Sequence, residues 1–340
     1  MSLTIALDAM GGDHGVEVVA AAALDALQRH PRLRLVLVGD QQRVGATLGT
    51  LGAEPGERLL IRHASQQVAM DEPPSSALRG KKDSSMRVAI NLVKSGEAQA
   101  CVSAGNTGAL MAIARFVLKT LPGIDRPAIV TALPTMRGHS HMLDLGASVD
   151  ASPEHLLQYA VMGAVLAEAV DAIDSPTVGL LNIGEEEIKG REEIKAAAKL
   201  LQQSGLNYIG FVEGDDIYKG SADVIVCDGF SGNIALKTSE GVARMISQFL
   251  REEFSASLRG KLAALLARPM FQSFRKRVDP GRYNGATLVG LQGIVVKSHG
   301  SADRQAFANA IEVAIKEVDK KVPQRIAKHL ESLLIERRAV

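Results

Sequence analysis

Short apolar runs, each closed by a turn bearing glycine or aspartate and followed by a helical period, set the rhythm of this chain. Strands are predicted at 4–7, 33–38, 59–62, 100–102, 128–133, 142–145, 178–182, 208–212 and 224–227. Many are apolar throughout, the pattern of parallel strands covered on both faces. Helical periodicity predicts helices over 16–29, 84–94, 109–119, 153–172 and 192–203, and the alternation of the two predicts a doubly wound α/β sheet. Ser152 before Pro153, and Ser301 after Lys297-Ser298-His299-Gly300, read as helix N-caps. Phe307, Ile311, Ile315, Val318 and Val322 recur at spacings of three and four, a core-facing stripe on one last helix. Runs 287–291 and 293–297 around Gln292-Gly293 predict a hairpin or bent edge near the end of the sheet. Over 238–283 the helical period continues with no strand, so a helical insertion is expected to project from a single α/β catalytic domain spanning 1–340.

Composition narrows the field. A chain of 340 residues, 46% hydrophobic and 23% charged, is globular rather than disordered. Lys and Arg total 39 against 38 acids, so no bulk basicity points to nucleic acid; without Trp, and with 4 Tyr and 8 Phe, there are few platforms on which bases could stack. The two cysteines, Cys101 and Cys227, each end an apolar run and read as small buried thiols, excluding a disulfide framework or a zinc site. No basic segment leads into a long apolar stretch at the N-terminus, and no apolar run is long enough to span a bilayer. A cytosolic, reduced protein is expected.

The sequence lacks the glycine fingerprint of dinucleotide folds, a phosphate loop ending in Gly-Lys-Ser/Thr, a Gly-x-Ser-x-Gly elbow, His-Glu-x-x-His and Cys-x-x-Cys. It has instead glycine loops directly after strands, where open α/β sheets bind ligands. Asp8 opens the first; Gly12 permits close backbone approach, and Asp13 and His14 add a carboxylate and a titratable ring, unless the loop is simply a tight turn with a solvated histidine. Ser103, Gly105, Asn106 and Thr107 sit where a strand meets a helix, an arrangement that serves either as an anion cradle suited to phosphate or as a plain N-cap. Asp228 through Asn233 repeat that arrangement, with Lys237 four residues on. At 182–191, Asn182 and three acids precede Lys189 and Arg191: a solvated helix start alone, but a source of positive charge beside an anion cradle. Asp144 supplies a further carboxylate at a strand end.

Taken in order, DAMGGDHG at 8–15, SAGNTGALMA at 103–112, RPAIV at 126–130, LDLGASVD at 143–150, PEHLLQYAVMG at 153–163, VGLLNIGEEEIKG at 178–190, VCDGFSGNIALKTSEG at 226–241 and KSHGSAD at 297–303 span the chain. This ordered set closely resembles the bacterial phosphate acyltransferases (acyl-acyl-carrier-protein:phosphate acyltransferases) of phospholipid synthesis. Departures are small: Val16 and Thr287 stand where proline is usual, and Ser148 where asparagine is common. The resemblance implies formation of an acyl phosphate from inorganic phosphate and a long-chain acyl-carrier-protein thioester. It also implies a homodimer, no cofactor, and the three-layer α/β/α architecture, with a mostly parallel sheet, of isocitrate and isopropylmalate dehydrogenases and phosphotransacetylases; no metal site is expected.

On that basis Ser103, Gly105, Asn106 and Thr107 are expected to hold phosphate, with Lys189 as counter-charge. Asn182 or Asn233 is expected to stabilise the oxyanion, and His14 or Lys189 to assist the leaving thiolate; Gly12, Asp8, Asp13, Asp144 and Asp228 are secondary candidates. Apolar Leu262, Leu265, Leu266, Met270 and Phe271, with Pro269 breaking the helix at a tip, are expected to serve dimerisation or peripheral membrane contact. Residues 251–282 hold eight Arg or Lys against three acids, suiting anionic lipid or, through Arg275-Lys276-Arg277, an acidic carrier protein. Alternatives are a phosphotransacylase using acyl-coenzyme A, a β-decarboxylating dehydrogenase on the same fold, and a membrane scaffold without catalysis.

Overall fold

A computed structural model describes the chain over residues 3–278 and 283–339, with side chains described at 3–270 and 283–332. One sheet of eleven strands organises it. In chain order these are β1 (Leu3–Asp8), β2 (Leu33–Gly39), β3 (Leu59–His63), β4 (Ala100–Ser103), β5 (Ala128–Thr135), β6 (Gly138–Leu143), β7 (Val178–Leu181), β8 (Tyr208–Val212), β9 (Val224–Val226), β10 (Ala286–Val289) and β11 (Ile294–Lys297). Their order across the sheet is β3-β2-β1-β4-β11-β10-β5-β6-β9-β7-β8.

Neighbours are parallel from β3 to β11 and from β6 to β8, while β11–β10, β10–β5 and β5–β6 are antiparallel. Three successive reversals leave β6, β7 and β9 running opposite to β1, β4 and β11. Loops that follow the two sets therefore open on opposite edges of the sheet.

Helices cover both faces, giving the expected three layers. Ile5 and Leu7 of β1 pack with α1 (Gly15–Arg29), α2 (Gln41–Thr50) and α11 (Arg304–Lys320), whereas Ala6 between them packs with α4 (Ser85–Ser95) and α5 (Thr107–Leu118), as period-two alternation requires. The half around β7 and β9 is covered by α6 (Pro153–Asp171), α7 (Glu192–Gln202) and α12 (Val322–Ala339). Two short helices, α3 (Pro74–Gly80) and α8 (Asp216–Lys219), lie in connections.

Several expectations shift. The β10–β11 hairpin lies mid-sheet, not near its end, because Val295 and Val296 are both fully buried, one on each face. β6 begins at Gly138, four residues before the predicted 142, since polar His139, Ser140 and His141 hid a strand that pairs along its length with β5. Ser152 caps α6 in a reciprocal capping box with His155. Asp303, not Ser301, caps α11; Ser301 bonds the His299 ring instead. Lys321 adopts the left-handed conformation, ending α11 so that Val322 opens α12. The long helical stretch is a hairpin of α9 (Gly229–Ser255) and α10 (Leu258–Val278), reaching back to Gly229 and turning at 256–257. Pro269 sits inside α10 without ending it.

Candidate active site

At the first sheet edge the loops after β1, β4 and β11 converge. Asp8 is 1% exposed; its Oδ2 accepts from the Ser103 hydroxyl at 2.6 Å and its Oδ1 from the Met10 amide at 3.3 Å. Burial raises its pKa, partly opposed by hydrogen bonds from Ser103 and Ser85. Ser103 Oγ in turn accepts from the Gly105 amide at 3.1 Å. The Ser298 amide donates to the Ser103 carbonyl and the Asp13 amide to the Gly300 carbonyl, so all three loops are hydrogen-bonded into one body. Glycine is required here: Gly12 has φ +86°, and a Cβ on it would press against Ala104 Cβ and the Gly300 carbonyl at 2.9 Å.

Lys297, the last residue of β11, is 9% exposed and points its ammonium into this body, donating to the Ala104 carbonyl at 3.3 Å and to the Ser298 carbonyl. Burial pushes its pKa down to about 8, with Asp8 opposing. Next to it His299 has Nδ1 paired with Ser301 Oγ at 2.9 Å, and burial lowers its pKa, favouring the neutral ring. Lys237, Glu240 and Arg244 of α9 lie within electrostatic reach of His299, with Glu240 pairing both Lys237 at 2.9 Å and Arg244 at 3.1 Å. Asn284 holds this arrangement, donating to Ser298 Oγ at 2.8 Å and accepting from the His299 amide at 2.8 Å.

Ser103, Gly105, Asn106 and Thr107 lie together where β4 meets α5, but Asn106 is engaged elsewhere. Asn106 Oδ1 caps α5 through the Ala109 amide at 2.9 Å, and its Nδ2 donates to the Met70 and Glu72 carbonyls at 2.7 and 3.0 Å. It is a cap and a staple for the 69–72 segment. Thr107 and Gly108 open the helix at the surface, while Asp13 and His14 are exposed on the neighbouring loop.

The second group lies at the opposite edge. Asp144, fully buried, accepts from the Ile129, Gly146, Ala147 and Ser148 amides at 2.9 to 3.2 Å; it folds its own loop, and burial raises its pKa. A Cβ on Gly229 or Gly232 would run into the Ser148 or Asp144 carbonyl, which is how closely α9 starts against that loop, with Asn233 beside Gly146. Asp228 caps α9 through the Ser231 amide and accepts from Arg191 at 2.5 Å. Asn182 donates to the Gly184 and Lys189 carbonyls at 3.0 and 3.2 Å, pinning the 184–189 loop; Lys189 is exposed and pairs with Glu186 at 2.9 Å.

Asn182, Lys189, Asn233, Asp144 and Asp228 are thus gathered, but not beside Ser103. α9 starts in the second group and reaches the first at Lys237 and Glu240; at about 1.5 Å per residue, roughly 18 Å of helix separates Asp228 from Glu240. Cys227 is buried, donates to the Asp144 carbonyl at 3.4 Å, and has its pKa raised well above an ordinary thiol by burial, as has Cys101. Neither is poised as a nucleophile. The reading from sequence missed Lys297 and His299 as site residues. Their signal was KSHG directly after an apolar run, read as a helix lead-in and within the KSHGSAD stretch of the resemblance but given no role at the site.

The fatty acid synthesis protein family matches residues 3–325. The phosphate acyltransferase of Nitrosococcus oceani is 62% identical over 100% of both chains, and that of Methylococcus capsulatus 63% over 96% of both. Among solved structures, a phosphotransacetylase from Streptococcus pyogenes covers 94% of this chain and 94% of its own with a TM-score of 0.63; at 19% identity it shows a shared fold.

Proposed function

Because the chain belongs to the phosphate acyltransferase family, it is a transferase that moves an acyl group to phosphate, and we propose that its donor is a long-chain acyl-carrier-protein thioester. The observation that carries the site is the convergence of three strand-end loops on buried Lys297. Phosphate would lie against the open amides of α5 at Thr107 and Gly108, with Lys297 and Lys237 supplying counter-charge. Holding it in line with the thioester is most of the catalytic task, since phosphate is already a nucleophile at neutral pH. Its oxygen bonds to the carbonyl carbon, the oxyanion collapses, and the carbon–sulfur bond breaks to give acyl phosphate and carrier thiolate. Neutral His299, or His14 on the adjacent loop, is placed to assist the thiolate after it takes a proton from solvent. Incubation with phosphate and palmitoyl-carrier protein should yield acyl phosphate, trapped as hydroxamate. Faster turnover of palmitoyl-coenzyme A at equal concentration would transfer the donor assignment to the coenzyme A thioester.

The second group is proposed to act on the first across a homodimer. Lys189 cannot neutralise phosphate at Ser103 of its own chain, whereas a two-fold partner can bring it there. Supporting this, α9 presents Val242, Met245, Ile246 and Phe249 at helical spacing on an exposed face. Peripheral membrane contact through Leu262, Leu265, Leu266 and Met270, between 59% and 75% exposed on α10, belongs to the same proposal, in a cytoplasmic enzyme. No helix among the described residues is long and apolar enough to cross a membrane. The side chains of Phe271, Arg275, Lys276 and Arg277, and Arg282, lie outside the described residues.

A further inference from the structure

We propose that His139, His141 and Asp171 form a binding site for a divalent transition metal, zinc by the chemistry of its donors. Residues two apart on a strand share a face, so β6 aims both imidazoles to the side on which α6 ends at Asp171. Asp171 Oδ2 lies 3.0 Å from His139 Nε2 and 2.6 Å from His141 Nε2, and the three donor atoms all fall within 4.8 Å of one another. Zinc bonds of about 2.0–2.1 Å place tetrahedral ligand atoms roughly 3.3–3.5 Å apart. To admit the ion, the His139–Asp171 pair would open by about 0.3–0.5 Å and the His141–Asp171 pair by about 0.7–0.9 Å.

Two imidazoles converging on one carboxylate oxygen both have to direct a proton at it; an ion can replace those protons, so binding releases them. Imidazole nitrogen selects zinc and its transition-metal neighbours over calcium and magnesium, which take oxygen. Asp171 is the last residue of α6, where the helix dipole disfavours an acid; a cation there satisfies both. Exposure is graded, 9% for the His141 side chain, 16% for Asp171 and 33% for His139. That leaves an entry path and a solvent-facing coordination position. Of the neighbouring charges, Asp223 is already engaged by the Thr177 amide and hydroxyl at 2.8 and 2.6 Å, and Lys316 of α11 is exposed. The site lies apart from Lys297 and Lys189, so its role is to clamp β6 to α6, and it runs against the expectation of a metal-free protein, which rested on the two buried cysteines and on the lack of His-Glu-x-x-His and Cys-x-x-Cys.

Full-length protein stripped with chelator should bind one Zn²⁺ per chain in calorimetric titration, and Co²⁺ should give the visible absorption of a low-symmetry site. Zinc should raise the wild-type Tm. His139→Ala and Asp171→Asn should each weaken binding at least tenfold, and the His139→Ala/His141→Ala double variant should lose both the cobalt band and the Tm response. Wild-type binding that persists undiminished in these variants, or a wild-type chain that takes up no stoichiometric zinc, overturns the proposal. Should the double variant fail to fold, His139→Gln, at the more exposed ligand, decides the matter by the same readouts.

Discussion

Two buried titratable side chains carry distinct consequences. Lys297 is protonated below its depressed pKa of about 8 and loses its charge above it. If it neutralises phosphate, kcat/KM for phosphate should fall above pH 8, beyond the rise that phosphate's own second ionisation gives near neutral pH, because that parameter reports ionisation of free enzyme and free substrate. Lys297→Met should lower kcat/KM by on the order of a hundredfold and flatten the alkaline limb; an unchanged limb would remove Lys297 from the site. Glu317 is fully buried against Thr287, and burial pushes its carboxyl up to about 7 from an ordinary 4.5. The unfolded chain releases this proton first, so stability should decline as pH rises from about 4.5 to 7 and level off beyond. Glu317→Gln keeps an acceptor for Thr287 and should stabilise the protein at pH 8 by about 1–3 kcal/mol while changing little at pH 5, as read by urea unfolding at the two pH values.

At the scale of elements, α9 and α10 stand out as long helices whose buried residues, among the described side chains, are confined to the first turn of α9, at Gly229 and Gly232. That turn is fixed to the Asp144 loop, Ala235 and Leu236 pack partly buried against the core and Tyr218 bonds Ser239, while the exposed row from Val242 onward is the surface proposed to meet a partner. Leu265→Glu, on α10, should abolish sedimentation with anionic vesicles and leave the chain folded, because its side chain is 63% exposed. Vesicle binding equal to wild type would assign the α10 apolar row to protein contact alone. Elements were legible in proportion to how strongly local pattern spoke. The apolar strands and the Ser152-Pro153 helix start were plain. β6 was clipped because polar His139, Ser140 and His141 mimic a loop, and Asp303 displaced Ser301 as a cap because two equally good caps stood two residues apart.

For the whole molecule, the decisive feature is the triple reversal at β11, β10, β5 and β6, which sends Lys297 and Lys189 to opposite edges. Mixing inactive Lys297→Met and Lys189→Ala chains should restore about a quarter of wild-type activity, since random pairing makes half the dimers mixed and each mixed dimer holds one intact site. A site built within single chains would give none. The glycine loops and the layered alternation could be read from residues alone, because each loop's amides, turns and charges are set by local sequence, while the chemistry came from the family that the ordered motifs resemble. Which loops meet could not, since strand direction and sheet order depend on the pairings of β10 with β5 and of β11 with β4, between segments more than a hundred residues apart. Sequence determined what each loop can do, and tertiary structure decided which partner it does it with: Lys297 was drawn to Asp8 and Ser103 by the parallel pairing of β11 with β4, and Lys189 was turned away by the antiparallel strands between them.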